Sequence, residues 1–171
     1  MTIRLFYDRW PQYERRLVES IRELTSEQLA LRAAPDHWPI WAIASHLAGS
    51  RVYWLCHVMG EPGAEATPFA DPESDGWEDD LEHARSAHEV VEALETTYAI
   101  IDGVLDRWTP EMMDDPFERS YADVRQVHSR TSILQRLLTH DAYHAGEIAI
   151  ALGSHGLEPT YIWRAYDPLR S

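Results

Sequence analysis

Lysine and asparagine are missing from this 171-residue sequence, and cysteine occurs once. Each absence removes chemistry. All 15 basic residues are arginine, so no lysine can form a Schiff base or serve a P-loop, and no asparagine can carry an N-linked glycan. The single thiol, Cys56, cannot form a disulfide or a thiolate metal cluster within one chain. It sits between Leu55 and His57 in an aromatic stretch, where an inert buried thiol is expected rather than a nucleophile. No apolar run reaches the ~18 residues of a transmembrane helix, so no membrane partner is expected. The N-terminal stretch MTIRLFYDRWPQYERR has no apolar signal core or cleavage site, and a cytoplasmic protein is the expectation. Net positive charge is also lacking. A balance of −14 argues against a nucleic-acid partner, because the phosphate backbone is bound by clustered cations.

What is present reads as an ordinary globular chain. Hydrophobic residues make up 44%, enough for one domain over residues 1–171 with a single core. Four helical stretches stand out. The first spans Ile3 to Leu24, with Leu17, Ile21 and Leu24 on one face and Pro11 near its first turns or kinking it. TSEQL, from Thr25 to Leu29, follows as a short turn. The second helix begins at Pro39, runs through IWAIASHLAGSRVYWLCHVM and stops at Gly60. The third opens on SAHE, a capping box from Ser86 to Glu89. It carries Val90, Leu94, Tyr98, Ile101 and Leu105 as an apolar stripe and ends near Trp108. The fourth runs from Ser132 to Leu152. Between the second and third lies a long acidic loop, Gly60 to Arg85, with Trp77 as its large anchor and its charges on a solvated surface. Residues 109–130 read as irregular, with a short extended piece around SYADVRQV. The pattern predicts an all-α chain, a four-helix bundle.

Within the fourth stretch, THDAYHAGEIAIAL places His140 and His144 four residues apart. Four residues advance a helix by ~400°, so the two imidazoles stand ~40° apart around the axis and ~6 Å along it. They share the face of Ile133, Leu137, Ile148 and Ala151, expected to turn inward. Such a pair can bind a divalent metal. The stretch is not HExxH, because Asp141 stands where that motif has glutamate, and no Glu-x-x-His di-iron pattern occurs. A third ligand is available in the second helix, where His46 follows the apolar run Trp41–Ala44 and needs a partner for its ring nitrogens. Three neutral imidazoles leave an open position at a catalytic zinc. On spacing alone, a satisfied core histidine and a histidine pair on a surface helix remain open alternatives.

His46 in the second helix, together with HDAYHAGEI in the last, resembles the DinB/YfiT-like superfamily of metal-dependent enzymes. The resemblance extends over essentially the whole chain, including helix order and the LTSEQL turn. It implies an antiparallel four-helix bundle and maps the metal ligands onto His46, His140 and His144. The implied cofactor is a divalent ion, zinc first, with nickel, manganese or iron as alternatives. Glu147 either orients a ligand histidine or makes a plain structural hydrogen bond. His57, three turns beyond His46, is expected in a core or rim role, and His128 is a candidate to approach the site from before the fourth helix. Some of Trp38, Trp41, Tyr53 and Trp54 are candidates to line a pocket beside the metal. The resemblance further implies a homodimer acting on a small-molecule substrate. Its preferred reaction is transfer to a low-molecular-weight thiol such as mycothiol, bacillithiol or glutathione. Metal-dependent hydrolysis and a non-catalytic, stress-response metal-binding role are the alternatives.

Overall fold

The computed structural model describes residues 1–71 and 80–162; Trp77, expected to anchor the acidic loop, lies outside them. The chain is mostly helical. A 3-10 turn, Ile3–Tyr7, leads into α1, Trp10–Arg22, which is followed by the short α2, Ser26–Leu29. The long α3, Ile40–Val52, continues into a widened π turn, Tyr53–Val58. Then come a 3-10 turn at Ala64–Ala66, α4 at Ala87–Arg107, a hairpin of β1, Pro116–Tyr121, and β2, Val124–Ser129, and finally α5, Arg130–Ser154. No described helix is long and apolar enough to cross a membrane.

Local chemistry explains most boundaries. The expected first helix is split in two because Pro11 takes the second position of α1. There its missing N–H costs nothing, whereas a helix continued upstream would drive its ring into the Tyr7 carbonyl. Pro39 stands one position earlier than expected, as the extended residue before α3. Gly60, at φ 74, ends the π turn in the left-handed conformation that glycine tolerates. Ser86 and Glu89 form the expected reciprocal cap of α4, and Thr25 and Gln28 form another at α2.

α3 is the central element. It packs on α4 and α5, while α1 packs on α4. Its residues from Ile40 to Val52 are all buried except His46, which is partly exposed. The predicted inward face of α5 is also the observed one, with Ile133, Leu137, Ile148 and Ala151 fully buried.

The all-α expectation needs one correction: a two-stranded sheet occupies much of the stretch read as irregular, and takes in the short extended piece expected around SYADVRQV. β1 and β2 pair antiparallel from Pro116↔Ser129 to Tyr121↔Val124, across a two-residue turn at Ala122 and Asp123. Both turn residues are left-handed, at φ 48 and φ 61, as a type I′ turn requires. The usual signals, Asn-Gly and Asp-Gly, are both absent from this turn, and the sequence has no asparagine at all. Alanine pays for this conformation through its Cβ, so Ala122→Asn is expected to raise stability by about 0.5–1 kcal/mol, read from the urea midpoint. An unchanged or lowered midpoint would mean the turn carries no strain. The hairpin packs against the π turn through β1 and against α5 through β2, which places it beside the partly exposed His46 region of α3.

Candidate metal centre

α3 supplies His46, and one face of α5 supplies His140 and His144. The Nε2 atoms of His46 and His140 lie 3.1 Å apart, as do those of His140 and His144. One ligand atom from each residue lies within 4.8 Å of the other two. Among the described residues, the groups that could share one ion stop at these three. Tetrahedral coordination at the usual Zn–N length separates ligand nitrogens by about 3.3 Å, close to the observed spacing.

The electrostatics point the same way. His144 Nδ1 lies 2.5 Å from Glu147 Oε2. A carboxylate only accepts, so Nδ1 carries a proton, and in the neutral imidazole that leaves the Nε2 lone pair facing His140. Burial, then the neighbouring His144 and His46, push the His140 imidazole down to about 3, which keeps it neutral, the form that binds a metal. A neutral His140 Nε2 carries either one N–H or one lone pair, so it can make a hydrogen bond to only one of the two nitrogens beside it at a time. A divalent ion would satisfy all three nitrogens at once. Trp38 packs edge-on against His46 at 5.4 Å between ring centroids, and Tyr143 packs edge-on against His144 at 5.0 Å.

His46 and His140 open on a cleft of about 380 Å³, walled by Tyr53, Trp54, Tyr121, Arg119 and Arg136. Tyr53 and Trp54 come from the π turn, a feature that often re-aims side chains at functional sites. Beneath the histidines lies a network that sequence reasoning missed. Arg51, fully buried and five residues after His46, donates to Glu14 at 2.6 and 3.1 Å and to Asp141 at 2.8 Å. Trp10 Nε1 also donates to Asp141, at 3.1 Å. Asp141, read from the sequence only as a departure from HExxH, is therefore a structural anchor. It ties the turn of α5 that carries His140 to both α3 and α1.

A family model for the DinB superfamily matches residues 10–148. The chain belongs to the DinB superfamily. A crystal structure of a DinB-like protein from Bacillus cereus is similar to it, with a TM-score of 0.68 and 18% sequence identity, covering 96% of this chain and 98% of that one. That likeness speaks to the fold. No curated protein sequence matches the chain.

In this DinB superfamily protein the other candidates take lesser places. His57 Nε2 meets the Phe69 carbonyl at 3.2 Å and stays outside the centre. His128 packs on Trp54, 4.9 Å between centroids, so it flanks the cleft without joining the other three. Trp41 is core. Burial pushes the Cys56 thiol up to about 11, in keeping with an inert residue. A second, apolar cavity of about 200 Å³ lies among Trp10, Leu17, Leu138 and Ala145. It has no histidine, and the carboxylates in its lining are the buried Glu14 and Asp141, already paired with Arg51.

Proposed function

We propose that this chain is a cytoplasmic metal-dependent enzyme, a one-domain antiparallel four-helix bundle of α1, α3, α4 and α5. His46, His140 and His144 hold a divalent ion, zinc in the first instance, through their Nε2 atoms. The observation that carries this reading is the convergence of three imidazoles, two of which open on a cleft, with no fourth protein ligand in reach among the described residues. A purely structural zinc site would be closed by a fourth side chain. The bound ion supplies Lewis acidity, lowering the pKa of a thiol or water that reaches it.

The chain's own residues do the rest. Glu147 holds the His144 tautomer and orientation. Burial keeps His140 unprotonated. The Arg51 network fixes α5 against α3, so the three rings need no rearrangement to bind. Tyr53, Trp54 and Tyr121 exclude water from one side of the cleft and offer flat apolar surface to a small substrate. The reaction we favour is transfer to a low-molecular-weight thiol. The thiol loses its proton, sulfur forms a bond to an electrophilic carbon, and the leaving group departs with its electron pair.

Cobalt-substituted protein tests this. Mycothiol, bacillithiol or glutathione is expected to add a sulfur-to-metal charge-transfer band that is absent from metal-free protein. If all three leave the spectrum unchanged, thiol transfer is overturned, and ester and amide cleavage by the same centre becomes the reaction to assay. We also propose a homodimer. Tyr143 and Ile150, seven residues apart on the outer face of α5, are 65% and 62% exposed, and apolar residues at that spacing form a stripe a second copy would cover. Light scattering is expected to give twice the 19.7 kDa chain mass; a monomer at micromolar concentration would reject the pairing.

A further inference from the structure

Arg119 and Arg136 are the cations of the cleft, and the proposed chemistry leaves both unused. We propose that they form an anion subsite, so that the substrate of the histidine centre carries a carboxylate or phosphoryl oxyanion held by the two guanidiniums beside Trp54. The placement of the substrate's reactive end rests on the metal reading above; the anion subsite itself does not.

The chain has 29 acidic against 15 basic residues, and its arginines are readily claimed. Arg22, Arg51, Arg107 and Arg130 each meet a carboxylate at hydrogen-bonding distance. Among the described residues, Arg119 and Arg136 meet none. Arg119, from β1, donates to Tyr53 Oη at 2.6 Å and to Gln126 Oε1 at 2.8 Å. Arg136, from α5, lies over the Trp54 ring at 4.6 Å, and Arg119 lies over the same ring at 4.5 Å.

Two like charges gathered at one indole repel each other. Cation–π attraction offsets part of that cost, and an anion between them would remove it. A guanidinium has five N–H donors, so Arg119 keeps donors after serving Tyr53 and Gln126, and Arg136 gives none of its own to another described residue. Their combined field reaches the neighbouring ring: His128 is pushed below its ordinary value by burial first, then by Arg119 and Arg136. Planar guanidinium forks match the two oxygens of an oxyanion, and the aromatic walls suit the apolar body attached to it. His46 and His140 line the same cleft, so an anchored small molecule would present its far end to the histidines.

The test is a calorimetric titration of the full chain, both chelator-treated and zinc-loaded, with benzoate, phenyl phosphate and the neutral benzamide. At least one anion is expected to bind the chelator-treated chain about tenfold more tightly than benzamide, weakening as salt screens the charges. Arg136→Gln, at an exposed helical position, is expected to weaken that binding about tenfold with unchanged circular dichroism, and Arg119→Gln to do the same. Whichever anion binds more tightly identifies the oxyanion. The proposal is overturned if neither anion binds, if benzamide matches them, or if neither substitution changes the affinity. It is equally overturned if binding appears only with zinc and ignores the arginines, for the anion then sits on the metal. Failure of the metal reading would show separately, as no zinc uptake by the wild-type chain, and would leave the chelator-treated titrations standing.

Discussion

Arg51→Met is expected to lower the stability of the folded chain by about 3–5 kcal/mol, the range for removing one partner of a buried ion pair. Arg51 is fully buried, its guanidinium holds Glu14 and Asp141, and it also donates to the Leu94 carbonyl at 3.2 Å. Methionine fills much of the same volume, so little of the loss comes from a cavity. What remains is two buried carboxylates without a counter-charge. Burial already raises the Glu14 carboxyl above its ordinary value, with Arg51 pulling against that rise. Removing Arg51 lets it climb further. A folded-state value above the unfolded one means the folded chain binds the extra proton, so stability falls as pH rises through that window. The deficit of Arg51→Met should therefore be larger near pH ~8 than near pH ~5. Denaturant midpoints followed by circular dichroism at both pH values give the answer. A deficit under about 1 kcal/mol at either pH would show that the network is not the clamp described here. Adding Asp141→Asn to Arg51→Met should recover part of the loss, since it removes one of the stranded charges.

That network also marks where sequence reading ran out. Helix faces were legible because they are local: Ile133, Leu137, Ile148 and Ala151 repeat at helical spacing, and Ser86 announces its cap with Glu89 three residues on. His46, His140 and His144 were legible for a related reason. An i, i+4 pair defines its own face, and a histidine inside an apolar run stands out. Arg51 sits in the same run, yet its partners lie 37 and 90 residues away in sequence, and no spacing rule reaches that far. The hairpin was legible only as a short extended piece around SYADVRQV, because its turn, Ala122-Asp123, offers one aspartate but neither asparagine nor glycine for its two left-handed positions. Arg119 was hidden with it, since its place in the cleft depends on β1 being a strand. The break before Trp10 was half visible: Pro11 pointed to a start or a kink, and the clash with the Tyr7 carbonyl decides for a start.

The chain purified without a histidine tag is expected to take up one divalent ion, and His144→Ala to abolish that uptake. His46→Ala and His140→Ala should do the same, because two imidazoles cannot complete the set that three provide. His57→Ala and His128→Ala are the controls. The first meets a backbone carbonyl and the second an indole, so both variants should bind metal like the wild type. Glu147→Gln should be intermediate. It keeps the side-chain length but replaces a carboxylate acceptor with an amide, and loss of such a partner behind a ligand histidine typically costs 10–100-fold in metal affinity. The pH dependence has a definite sign. Protons compete with metal for the same Nε2 lone pairs, so affinity must fall as the solution is acidified. His140, held near 3 by burial and its neighbours, keeps its lone pair through the mildly acid range. Metal content by atomic emission, measured for each variant and across pH, checks every step. Undiminished metal in His144→Ala would end the three-histidine assignment, as would an equal loss in His57→Ala.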